Sequence, residues 1–166
     1  MVFTFENIIM IALILLTGLS AGLCFTWSNT VTPGIGRLDD LGYLQSFQQM
    51  NRTILNPMFF VVFFGPFFLT LVNIYLIKSN SSNLFWLLIL AGIIYFFGVL
   101  IVTVFGNVPL NEMLDKTDLG IANLDELRQL REKFELKWNR LHSTRTYTSI
   151  ISFLLLIIGL LQNIKQ

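Results

Sequence analysis

The densest group of chemically capable side chains in the sequence is Trp138-Asn139-Arg140-Leu141-His142-Ser143-Thr144-Arg145. At 100° per residue of an α-helix, Trp138, His142, Arg145 and Ser149 fall on one narrow stripe, so an indole, an imidazole, a guanidinium and a hydroxyl can line one groove. Arg145 sits within a turn of an apolar run and needs an acid, a carbonyl or a ligand opposite it. His142, the single histidine, is either a satisfied structural group or a functional one that titrates near neutrality. Three further clusters carry the same kind of group: Trp27-Ser28-Asn29 ahead of Pro33, Asn51-Arg52 with Asn56-Pro57, and Asn107-Val108-Pro109-Leu110-Asn111.

These clusters must be positioned by the elements they end. Of the 166 residues, 54% are hydrophobic and only 13% charged, and the mean hydropathy is +0.69, far more apolar than an ordinary globular domain. The apolar residues gather in four long runs, and about 20 such residues make a helix that crosses a hydrocarbon core of roughly 30 Å. The reading is one all-α membrane domain over 1–166, a four-helix transmembrane bundle with spans near 8–27, 54–77, 84–105 and 140–161. The first run has no basic residue ahead of it and is too long for a signal-peptide core, so it is read as a helix of the mature chain. Pro66, beside Gly65, predicts a kink inside the second span.

The connections are unequal. Spans two and three are joined by Lys78 to Asn83, a tight hairpin, whereas the other two connections are long and share one membrane face. Both read as short amphipathic helices. One runs over 39–50, capped by Asp39 or Asp40; the other runs over 123–138, opened by an Asn123/Glu126 capping box, with Leu124, Leu127, Leu130, Phe134 and Trp138 on one stripe. The four polar clusters therefore meet at one mouth, where His142, Arg145, Trp27, Asn29, Arg52, Asn56, Asn107, Asn111, Trp138 and Asn139 are the candidate site residues. The long-connection face carries nearly all the Lys and Arg, which puts it in the cytoplasm and both termini outside.

Several classes are argued against. One His and one Cys do not make a zinc, His-rich di-iron or iron–sulfur site, and no phosphate-binding glycine loop or nucleophile elbow is present, so no metal is expected. A transporter would need an acid within a span, and a net charge of +1 with basic and acidic residues interleaved gives nucleic acid no footprint. Membrane lipids and an apolar or aromatic small molecule are the expected partners. Gly18-x3-Gly22, with Ser20 and Ala21, is a weak signal for a homo-oligomer or for a subunit of a larger membrane complex.

Trp27-Ser28-Asn29 with Pro33, Met50-Asn51-Arg52-x3-Asn56-Pro57, Gly106-Asn107-Val108-Pro109-Leu110-Asn111 and Trp138-Asn139-x2-His142-x2-Arg145 together resemble the anthrone oxygenase family (DUF1772) across nearly the whole chain. The resemblance implies a four-span membrane protein whose relatives oxidise anthrones to anthraquinones without a recognised metal or flavin, hence an oxidoreductase with no cofactor. On that chemistry His142 is the base, Arg145, Arg52, Asn107 and Asn111 are oxyanion donors, and Trp27, Trp138 and neighbouring Phe rings form a flat slot. A non-catalytic protein that holds a lipid or quinone at the same mouth is the alternative.

Overall fold

The computed structural model describes residues 4–77 and 83–164, and all of its regular structure is helical. Four helices are long and apolar enough to cross a membrane. Helix α1 spans Phe5–Ile35, α2 Asp40–Ile54, α3 Pro57–Ile77, α4 Asn83–Asp115 and α5 Leu124–Ile164. Local chemistry sets their starts. Thr4 accepts from Asn7 N ahead of α1, and Asp39 accepts from Gly42 N at 2.7 Å ahead of α2. Asn56 accepts from Phe59 N at 3.0 Å, with Pro57 next in line, to open α3. Asn123 N–H donates to Glu126 Oε2 at 2.9 Å and Glu126 N–H to Asn123 Oδ1 at 3.0 Å, the expected capping box, ahead of α5. The expected hairpin lies outside the described residues at 78–82, and α3 continues through Pro66.

Helix length decides the architecture. The 21 residues of α3 rise about 31 Å and only just cross a hydrocarbon core, whereas the 31, 33 and 41 residues of α1, α4 and α5 rise roughly 46, 50 and 60 Å. Three helices therefore project past the end of the fourth, and α2 fills the space above α3. Where the sequence suggests two helices, 123–138 and 140–161, the structure has one continuous α5. No proline or glycine falls between Leu124 and Phe153 to interrupt it, and its core-facing stripe passes without a phase break from Leu127, Phe134 and Trp138 to Leu156. Leu124 leaves that stripe and is 83% exposed, because it precedes the first turn that meets α2.

Three clusters hold the bundle. At the projecting end Tyr43, Leu44 and Phe47 of α2 pack against Leu110 and Leu114 of α4 and Leu127, Phe134 and Trp138 of α5, so both long connections fold into one cap. Mid-bundle, Phe63, Tyr95, Val99 and Leu100 pack together, and the opposite end is closed by Met10, Leu13, Leu84, Leu88, Ala91 and Leu156. Side-chain hydroxyls link the helices where water is absent. Tyr95 donates to Phe63 O at 2.9 Å and meets Ser20 Oγ at 2.8 Å, joining α1, α3 and α4, while Ser152 donates to Ala91 O at 2.9 Å. Gly18 faces Phe153 of the same chain, so within the bundle it serves close packing.

Two widened, π-helical turns flank the cap, at Trp27–Val31 in α1 and Thr103–Asn107 in α4; a third, Phe96–Ile101, lies deeper in α4. In the first two, Thr32 N–H reaches Trp27 O and Val108 N–H reaches Thr103 O, five residues back. Each is followed by a proline, Pro33 or Pro109, whose ring cannot sit over the carbonyl of an α turn, and the widened turn absorbs the misfit.

Candidate functional site

Because α3 ends short and α2 bridges above it, a cavity of about 270 Å³ is left beneath α2, walled by all five helices. Its floor and sides are apolar: Leu23, Phe59, Val62 and Phe63, with Ile54, Leu55 and Val108 nearer the opening. Leu55 is 65% exposed, so that opening borders the outer apolar surface of the bundle. The polar lining comes from Ser20, Asn51, Thr103, Asn111, His142 and Arg145, and the rim from Arg52, Glu112, Asp115 and Lys116.

On α5 the expected stripe forms one face of this space. Trp138 and His142 stack with ring centroids 4.7 Å apart and planes 15° from parallel, and the Arg145 guanidinium lies 5.4 Å from the Trp138 ring. Trp27, turned inward where α1 widens, stands 5.6 Å from Trp138 and 6.3 Å from His142. Phe47 of the cap meets Trp138 edge-on at 4.7 Å. Ser149, the fourth member of the stripe, is fully buried and donates to Thr146 O at 3.0 Å, below the cavity lining.

The partners of His142 fix its tautomer. Nε2 lies 3.0 Å from Cys24 O, which can only accept, so Nε2 carries the proton; Nδ1 lies 2.7 Å from Arg145 Nη2, which can only donate, so Nδ1 offers its lone pair. Cys24 O takes this bond beside the backbone N–H of Trp27, and Thr146 Oγ1 approaches the same carbonyl at 3.4 Å. Arg145 also donates from Nη1 to Thr103 Oγ1 at 3.2 Å, and its Nε is buried without a partner. Among the described residues no carboxylate pairs with Arg145. The rim acids are taken: Asp115 pairs with Arg52 at 2.6 Å and Glu112 with Lys116 at 3.4 Å. Asn111 accepts from the Trp138 indole at 2.8 Å, which leaves its amide nitrogen as a donor at a residue lining the cavity.

Trp27, Arg52, Asn111, Trp138, His142 and Arg145 are thus brought together around one space. Asn29, Asn56, Asn107 and Asn139 are not. Asn29 is exposed and bonds only Thr30, since the widened turn that carries Trp27 inward points Asn29 out. Asn56 is spent capping α3. Asn107, 1% exposed, reaches back to Trp138 O at 3.4 Å and joins α4 to α5, and Asn139 is one residue off the Trp138 stripe. Asn51 enters in their place: it is 8% exposed, lines the cavity, and its amide nitrogen has no partner. Its position beside Arg52 is the signal in the sequence that points to it.

The fold and site define an integral membrane protein with a ligand-sized, aromatic-walled cavity at one end of a four-span bundle, presenting an unpaired cation beside a neutral imidazole. The model of the anthrone oxygenase family matches residues 59–155, more than half of the chain, and the chain belongs to that family. No curated protein and no solved structure matches it.

Proposed function

We propose that this protein is a membrane-embedded oxygenase that takes a flat, fused-ring ketone of the anthrone type into the cavity beneath α2. The observation that supports the reading most is the Arg145–His142 pair: a guanidinium with no acid partner, bonded to the lone pair of an imidazole, on the wall of an apolar cavity. The volume of 270 Å³ lies just under the roughly 300–1,000 Å³ typical of small-molecule sites and suits two or three fused rings lying between Phe59 and the contacting Trp27–Trp138 pair.

The chemistry runs through an exchange of hydrogen bonds. A ligand carbonyl takes the Arg145 N–H that His142 Nδ1 accepts in the empty site, and the released lone pair is the base. His142 removes a proton from the methylene carbon next to the ring system, and the resulting enolate oxygen stays against the guanidinium. The enolate carbon bonds molecular oxygen, protonation gives a hydroperoxide, and loss of the remaining C–H proton with cleavage of the O–O bond forms the new carbonyl. The balance is anthrone plus O2 to anthraquinone plus water, with one oxygen atom in each product. The Nε2–H bond to Cys24 O keeps the ring oriented throughout.

The test is oxygen uptake by the protein in nanodiscs with 1,8-dihydroxyanthrone, against empty nanodiscs. One O2 consumed per quinone formed, with a loss of about 10²–10⁴-fold in His142→Ala at unchanged melting temperature, is the expected result. Uptake equal to the empty nanodisc, or unaltered in His142→Ala, overturns it. The alternative, a non-catalytic quinone or lipid site, is favoured by the fact that both imidazole nitrogens are engaged in the empty site; it predicts a bound ligand with no oxygen use. The cytoplasmic placing of the cap, in a bacterial inner membrane, belongs to the same proposal. It predicts an active alkaline phosphatase fused at the C terminus; a fusion that is inactive but fully expressed reverses the orientation.

A further inference from the structure

The cavity's unmet hydrogen-bonding demand is one-sided. Among the described residues, two nitrogens of cavity-lining side chains, Asn51 Nδ2 from α2 above and Arg145 Nε from α5 at the side, are closed off and without a partner in the empty site, and both can only donate. The other buried groups without partners, the Tyr43 hydroxyl and the amide oxygens of Asn73, Asn107 and Asn139, belong to residues outside the cavity lining. A buried donor left unpaired costs free energy that only an acceptor can recover. The charge is one-sided too. Glu112 and Asp115 at the rim are paired with Lys116 and Arg52, and His142 is held in its neutral tautomer, so among the described residues Arg145 is the charge of the lining that no ion pair compensates.

We infer that Asn51 and Arg145 act as paired donors for the acceptor oxygens of one ligand, and that the ligand is held in its ionised form, as an aromatic phenolate or enolate. The inference rests on the proposed ligand site; it adds a second donor, Asn51, and extends the anionic form from the enolate of the reaction to the ligand as it rests in the site. It explains why α2 is part of the site: the cap delivers one of the two donors, so a ligand is engaged from both sides only when the cap is closed. Ammonium groups and other cations that can only donate are excluded, because they would face two donors and an uncompensated charge of like sign.

The probe is 2-hydroxyanthraquinone, which ionises with a colour change and cannot be oxidised as an anthrone is. It is titrated with pH in nanodiscs carrying the protein and in empty ones. Wild-type protein is expected to favour the phenolate by about tenfold, moving the bound probe's transition about one unit toward acid. Arg145→Gln removes the shift, Arg145→Lys keeps part of it, and Asn51→Asp, which gives the cavity a carboxylate for Arg145, abolishes or reverses it. Asn51→Leu halves the preference or more, and with Asn51→Asp it carries the test if Arg145→Gln does not fold. A probe that ionises as in empty nanodiscs, or identically in wild type and all variants, overturns the inference. The shift without oxygen uptake refutes the oxygenase reading and leaves this one standing; uptake without the shift does the reverse.

Discussion

Arg131 offers the sharpest test of how the cap serves the cavity. Its side chain, 16% exposed, donates from Nη1 to Leu38 O at 2.9 Å and Asp40 Oδ1 at 3.1 Å, from Nη2 to Gly36 O at 2.8 Å and from Nε to Glu135 Oε2 at 2.7 Å. The guanidinium also lies 4.5 Å from the Tyr43 ring. One planar fork thus fastens the link between α1 and α2, and the start of α2, to α5. Arg131→Met keeps the stem and deletes the fork. Bonds to a charged group contribute about 1.5–3 kcal/mol each when buried, but Asp40 and Glu135 are 37% and 29% exposed and water replaces much of their share. The two backbone carbonyls then dominate, and about 2–4 kcal/mol is the expected loss. If that loss is confined to the cap, hydrogen exchange across residues 38–50 accelerates by about 30- to 1000-fold while α3 and the far end of the bundle exchange as before. Arg131→Lys recovers less than half, since an ammonium cannot span the same acceptors. Unchanged exchange in α2, or an equal rise through the whole bundle, would refute the reasoning.

Other perturbations follow from single contacts. A Cβ on Gly98 would collide with all the heavy atoms of the branched Thr148 side chain, so Gly98→Ala should destabilise by about 1–3 kcal/mol in thermal melts, whereas Gly22→Ala, with nothing nearby, should be neutral. The Arg52–Asp115 pair joins α2 to α4 between the inner cavity and an outer polar groove lined by Gln45, Gln48 and Asp118. Both side chains are about half exposed, so Arg52→Leu should cost no more than about 1 kcal/mol of stability yet raise both on- and off-rates for an anthraquinone probe in stopped-flow fluorescence. Tyr43 lies outside the spans with a buried, unpartnered hydroxyl, and burial pushes its phenol up from the ordinary tyrosine value. Tyr43→Phe should therefore leave the melting temperature level or raise it; a fall of several degrees would reveal a partner for the hydroxyl.

The four spans are legible in the sequence because bilayer thickness imposes a length that composition alone reveals, and the Trp138–His142–Arg145 stripe is legible because helical phase is periodic. The join between the segments at 123–138 and 140–161 is not, since the change from polar to apolar near Thr146 imitates a boundary although the backbone has no reason to break there. Asn29, Asn107 and Asn139 mislead for a related cause. An amide at a helix end can face a cavity, a neighbouring helix or water, and the widened turns that settle the matter depend on how Pro33 and Pro109 pack. Asn51 stands out in the sequence only as the neighbour of Arg52; its place in the lining follows from α2 lying over the short end of α3, which brings a residue of a connecting segment to the cavity.

The central claim, that the ligand of this protein occupies the cavity beneath α2, is tested most directly by photo-crosslinking with 2-azidoanthraquinone in nanodiscs, mapped by peptide mass spectrometry. Adducts are expected on Trp27, Phe59 or Trp138, suppressed by excess 2-hydroxyanthraquinone and weakened in Arg145→Gln. Adducts confined to lipid-facing residues such as Phe68 or Trp86, with no competition by the unlabelled quinone, would contradict it.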